Sequence, residues 1–109
     1  MKRVLIESPF AGNRKLNRAY LEAIAADCKR RDEAYFASHA FYTQFLDDDL
    51  PEERAWGIAA GLAWGEKADL TVVYTDLGIS DGMRKGINHA KSVGRPIKFR
   101  SLDLWTKIQ

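Results

Sequence analysis

Apolar and polar positions follow two rhythms along this chain, and the switches between them mark out its elements. "RVLIE" (Arg3 to Glu7) is a short, mostly aliphatic run closed by Ser8-Pro9, which predicts a buried strand. From Asn13 the spacing lengthens. Leu16, Tyr20, Ile24 and Cys28 recur at every fourth position with Ala19 and Ala23 beside them, while Arg14, Lys15, Arg18, Glu22 and Lys29 fall elsewhere. That is the stripe of an amphipathic helix, and its basic last turn suits the helix dipole. "EAYFAS" (Glu33 to Ser38) reads as a second strand from its aromatic content. The following "HAFYTQFLDDDLPEER" has no legible period. Pro51, Glu52 and Glu53 then open a helix expected to reach Glu66. "LTVVYT" (Leu70 to Thr75), β-branched and apolar on both faces, has the pattern of a central parallel strand. Met83, Ile87, Ala90 and Val93 make another helical stripe, stopped by Gly94 and Pro96. "PIKFRSL" supplies a last strand, and in the tail "DLWTKIQ" Leu104 and Trp105 are expected to dock.

Four strands alternating with three helices predict one α/β domain over residues 1–109. The sheet is expected to be four-stranded and mainly parallel, in the order 2-1-3-4, with helices on both faces and right-handed crossovers. Ligands of such sheets sit beyond the carboxyl ends of the strands, where the winding reverses. That rule brings together "ESPFAGN" after the first strand and "DLGISDGM" after the third. Gly57, Gly61 and Gly65 recur every fourth residue of the middle helix, each costing about 1 kcal/mol relative to alanine, so a close neighbour is expected on that face. Packing within the domain and a subunit interface both fit, and a homo-oligomer is expected.

Composition removes several function classes. The 109 residues are 46% hydrophobic and 29% charged, which suits a single compact domain. Seventeen basic residues are interspersed with fifteen acidic ones, so no footprint for duplex nucleic acid is visible. The single cysteine, Cys28, falls within a helical stripe and outside any metal-ligand spacing. A small buried core residue is expected there, and neither a metal nor a cofactor is implied. The apolar run in "MKRVLIESPF" is too short for a leader, and no 18-residue apolar segment follows, so no membrane partner and a cytoplasmic location are expected.

The first-strand "SPF" paired with a late D-x-G-x-S-x-G-M-x-x-G, here Asp76 to Gly86, resembles the nucleoside 2-deoxyribosyltransferases and their small Rossmann-like relatives. Across "ESPFAG", "FASHAFYTQFLDDDLPEER", "GIAAGLAW" and "VVYTDLGISDGM", the chain also resembles short phage and prophage proteins described only as domains of unknown function. The first resemblance implies a small Rossmann-like three-layer fold that binds a nucleoside or nucleotide. It also implies a glutamate nucleophile directly after a Gly-Met pair, attacking the anomeric carbon while an acid assists the departing base. Here Gly82-Met83 is followed by Arg84, and a strand-one tyrosine of the family is replaced by Leu5. Asp76 lies within one residue of a family aspartate that helps to bind the nucleoside. The implied function is therefore ligand binding without transferase chemistry, and the phage resemblance implies a protein, acting in the host cytoplasm, that sequesters or degrades a nucleotide signal.

Read for their own chemistry, the loop residues offer these roles. Arg84 can fork a phosphate with help from the backbone amides of Ser80 to Met83, or can be a solvated residue paired with Asp81 or Asp76. Ser80 is an N-cap candidate whatever the ligand, and Gly78 and Gly82 either make turns or let a ligand approach the backbone. Glu7 and Asp76, at the ends of neighbouring strands, can divide into acid and base, with Glu7 or Asp81 a relocated catalytic carboxylate. Alternatively, Glu7 accepts amide bonds from the nearby loops. His39 can act as an acid, stack on a base or serve as a structural hydrogen-bonder. Phe10, Phe41 and Tyr42 can wall a nucleobase or fill core, and Ser8 lies in the same loop as Phe10. Glu7, Asp76 and Arg84 are expected to converge on one crevice. An interaction protein with a vestigial pocket, built on the glycine stripe with Trp56 and Trp64, is the third expectation.

Overall fold

The computed structural model describes residues 1–102 and 105. Its strands are β1 (Lys2–Glu7), β2 (Glu33–Phe36), β3 (Leu70–Tyr74) and β4 (Ile97–Arg100), and its helices are α1 (Arg14–Arg30), α2 (Ser38–Phe41), α3 (Pro51–Gly65) and α4 (Asp81–Ser92). All strand pairs are parallel, and the order is β2-β1-β3-β4, as the alternation of elements predicted. The register sets Leu5 beside Thr71 and Glu7 beside Val73. Side chains alternate across a strand, so Glu7 and Val73 share one face while Val4, Ile6 and Tyr74 point to the other.

Helix α1 closes the second of these faces. Tyr20, Ile24 and Cys28 pack with Val4, Ile6, Leu70, Val72, Tyr74 and Trp105 in the main core. Trp105 docks as the tail predicted, whereas Leu104 lies outside the described residues. Cys28 is buried with its Sγ 3.6 Å from the Tyr74 hydroxyl, a core position rather than a reactive one. The opposite face is covered by α4, whose Met83 and Ile87 pack on Val73 with Ile79 and Ile97 at the margin. Val93 is exposed and takes no part in the stripe.

The stretch that the pattern left illegible becomes α2, a single 3₁₀ turn (Tyr42–Gln44) and a loop into α3. Here the glycine stripe explains itself. A Cβ on Gly61 would lie 2.7 Å from Ser38 Oγ, too close for α2 to stay where it is, and one on Gly65 would lie 3.2 Å from Leu5 Cδ2, a contact that β1 could take only by giving way slightly. The stripe is intramolecular packing. It also fixes where α2, and with it His39, sits beside the strand ends. No described helix is long and apolar enough to cross a membrane.

Candidate functional site

At the carboxyl ends of β1 and β3 lies a cavity of about 670 Å³. Leu5, Glu7 and Ser8 line it from β1 and its end, Phe10 from the next loop, and His39 and Tyr42 from α2 and its 3₁₀ turn. Ile58 and Leu62 of α3 add an apolar side. Helix α4 contributes Asp81, Gly82, Met83, Lys85, Gly86 and His89, with its cap Ser80. The loop behind Phe10 is braced by Asn17, whose side-chain amide donates to the carbonyls of Phe10 and Ala11, both at 3.0 Å. The Arg14 guanidinium stacks 4.9 Å from the Phe10 ring centre.

Glu7 is the chemically distinctive group. Its side chain lies so tightly against α4 that a Cβ on Gly86 would fall 2.2 Å from Oε2. None of the side-chain hydrogen bonds or ion pairs among the described residues involves its carboxyl, so the amide-accepting role offered by the sequence is not the one taken. Burial pushes this carboxyl up to about 7, against the pull of the Arg95 guanidinium. A carboxyl that is half protonated at neutral pH can donate or accept a proton as the ligand demands. Beside it, Ser8 Oγ and His39 Nε2 are hydrogen-bonded at 2.9 Å. Burial lowers the His39 imidazole to about 4, so it is neutral at physiological pH.

The geometry separates the residues that the sequence grouped. Glu7, Ser8, Phe10, His39, Ser80, Asp81, Gly82 and Met83 meet at the cavity. Asp76 does not join them. Its carboxylate accepts from the Tyr20 hydroxyl at 2.5 Å and from the Leu102 amide at 3.1 and 3.0 Å, so it is fixed on the α1 side of the sheet. Arg84 does not join either. On α4 the core takes Met83 and Ile87, the cavity takes Asp81, Lys85 and His89 at four-residue spacing, and Arg84 falls on the remaining exposed face. The convergence of Glu7, Asp76 and Arg84 is therefore corrected, as is the fork role for Arg84. Gly78, with φ +84, shapes the turn before Ser80 and stands outside the cavity wall. The Ser80 and Met83 amides are engaged in the helix cap, where Met83 N–H donates to Ser80 Oγ at 3.3 Å, which leaves those of Asp81 and Gly82 for a ligand. Phe41 is exposed on the outer surface, not in the cavity.

Sequence reasoning missed Gly86, Lys85, His89 and Arg54, all on the cavity wall. Gly86 had a signal: a glycine inside an otherwise regular helical stripe marks a close approach. Arg95 had none, because its guanidinium reaches Gly65 only through the folded geometry.

A protein-family model described as a domain of unknown function, DUF7768, matches residues 2–100. No curated protein matches the chain. Among solved structures, a 2-deoxyribosyltransferase from the psychrotolerant bacterium Bacillus psychrosaccharolyticus, described as a biocatalyst for nucleoside synthesis, is similar with a TM-score of 0.71 and 15% identity. The match covers 91% of this chain and 72% of the other. At that identity the likeness is one of fold: the chain has the small Rossmann-type architecture seen in a 2-deoxyribosyltransferase. Neither comparison supports the phage origin that the sequence resemblance implied.

Proposed function

The chain belongs to the DUF7768 family, and we propose that the cavity at its strand ends binds a nucleoside or nucleotide-derived small molecule, with Glu7 as the group that meets the ligand's polar centre. The observation that carries this reading is the Glu7 carboxyl, without a hydrogen-bond partner among the described residues and set into a wall otherwise rich in apolar side chains. A volume of about 670 Å³ lies within the roughly 300–1,000 Å³ of small-molecule sites. Phe10 and Tyr42 offer faces for a base, and the Asp81 and Gly82 amides offer donors for a sugar hydroxyl. The rim carries Arg54 and Lys85 against Asp48, Glu53 and Asp81. Such mixed charge gives a phosphate little net attraction, which favours an unphosphorylated nucleoside. Binding without turnover would make the domain a sequestering protein.

One observation favours a second reading, cleavage or transfer at an N-glycosidic bond. A carboxyl at about 7 is poised to protonate a departing base, a role the sequence reserved for a relocated carboxylate at Glu7 or Asp81. Calorimetry with a panel of nucleosides, run beside chromatography of the same mixtures, decides between the two. Saturable heat with no free base supports the binder; steady base release that disappears in Glu7→Gln promotes the enzyme. Neither heat nor base release from any nucleoside or nucleotide would dismiss both.

A further inference from the structure

Helix α3 is built inside out. Its inward stripe is glycine, and its two tryptophans face solvent, Trp56 61% and Trp64 64% exposed, while Ile58 and Leu62 are exposed on the flank that borders the cavity. From Ala55 to Gly65 the helix carries no charged residue at all. A surface helix normally turns its apolar side inward and its polar side out. Here the packing within the chain is satisfied by glycines, so the outward tryptophans are not explained by this domain's own core.

We infer that the outer face of α3 is where a second copy of this chain docks, with two α3 helices lying antiparallel about a two-fold axis near Ala59. Self-complementarity points to a second copy over a foreign partner. From Ala55 to Ala63 the segment "AWGIAAGLA" is nearly symmetric about Ala59 in small and bulky residues, the exception being Ile58 against Ala60. Centred on Ala59, an antiparallel pair sets Ala55 of one helix opposite Ala63 of the other and Trp56 opposite Leu62, and all of these positions are exposed in the single chain. The same patch meets itself, as a two-fold interface requires. The small residues let the helices approach, and opposed macrodipoles favour the antiparallel arrangement.

The area is that of a small interface. Trp56 stacks on Tyr42, with ring centres 5.9 Å apart, and Trp64 lies near Phe36 at 6.2 Å. The cluster continues through Phe41 to Phe45, which is 71% exposed. With about 150–250 Å² per aromatic side chain, the exposed fractions of Trp56, Trp64, Phe41 and Phe45 leave on the order of 350–600 Å² of apolar area in solvent. That spans the range of the largest patch on a typical monomer and is roughly half or more of the ~800 Å² per partner of a standard interface. A lipid surface is a poorer fit, because Lys67 is the single basic residue among those that line the depression around Trp56 and Trp64, short of the lysine- and arginine-rich flank of interfacial helices. Ile58 and Leu62 also line the cavity, so the pairing lies next to the candidate site.

Sedimentation equilibrium over a concentration series tests this with the wild type, Ala59→Arg and, as a control on exposed α4, Asn88→Arg. The expected result is a wild-type and Asn88→Arg dimer and an Ala59→Arg monomer with an unchanged circular dichroism spectrum. An unpaired charge buried in an apolar interface weakens association by roughly a hundredfold or more. If Ala59→Arg does not fold, Trp56→Glu, a change at a position that is 61% exposed, replaces it with the same expectation. A wild-type monomer at every concentration overturns the inference, whether or not the monomer then floats with lipid vesicles. A dimer that persists in folded Ala59→Arg and Trp56→Glu also overturns it.

Discussion

Replacing Glu7 with glutamine should make this protein more stable, and only above mildly acidic pH. The side chain sits in the cavity wall with its acid constant raised from 4.5 to about 7. Between those values the native state holds a proton that the unfolded chain has already released, so native stability falls as pH rises through this window. Above about 7 the loss is complete, and below 4.5 it vanishes because both states are protonated. At about 1.4 kcal/mol per unit the shift corresponds to roughly 3 kcal/mol, and the partial exposure of the side chain trims this to about 2 kcal/mol. His39 titrates in an overlapping window with the opposite sign. Its acid constant drops from 6.5 to about 4 on folding, so its contribution is lost as pH falls through that interval. The two slopes offset each other in the wild type, and the difference between wild type and Glu7→Gln isolates the glutamate. Urea unfolding of both proteins at intervals between pH 4 and 9 reads it directly, with the variant's own curve rising steeply from pH 4 to 6.5 as the His39 slope is uncovered. Equal stability of the two at pH 8, or a gap that does not change with pH, refutes the placement of Glu7.

Gly86→Ala should force the Glu7 carboxyl out of its seat, because the new Cβ would lie 2.2 Å from Oε2; the acid constant of Glu7 followed by carbon-detected NMR then falls toward 4.5, and an unchanged titration contradicts the close contact. Asp76→Ala should lower stability by about 2–4 kcal/mol through loss of the Tyr20 and Leu102 hydrogen bonds, read as a drop in thermal midpoint, while leaving the cavity intact. Arg84→Ala should change both stability and nucleoside binding by no more than about 0.5 kcal/mol, since its side chain is exposed outside the cavity wall; a larger loss of calorimetric affinity would restore it to the site.

The sheet was legible because its signals are redundant. All five residues of β3 are buried, as a doubly covered strand demands, and the turn chemistry at Gly94-Arg95-Pro96 left the chain beyond α4 little freedom except to enter a strand. The switch-point rule also pointed to the end of the sheet where the cavity lies. It could not say which face each strand-end side chain takes. That depends on a one-residue parity: Glu7 lies beside Val73 in the register, so Tyr74 falls on the opposite face, and the loop beyond it carries Asp76 to Tyr20 on the α1 side. The same limit applies to Arg84, one position along from a core methionine and one short of a cavity lysine. The segment from Ser38 to Phe45 was illegible for another reason. Its aromatics build a surface cluster instead of one face of a core, so no helical or strand period was available to read.

NMR of labelled protein titrated with a nucleoside panel shows whether the cavity walled by Glu7, His39 and Gly86 takes a nucleoside-class ligand. Saturable shifts are expected in the Glu7 carboxyl, the His39 ring and the Gly86 amide for at least one unphosphorylated nucleoside, with the corresponding nucleotide binding no more tightly. Shifts confined to Arg84, Asp76 and their neighbours, or no response to any nucleoside or nucleotide, would contradict this expectation.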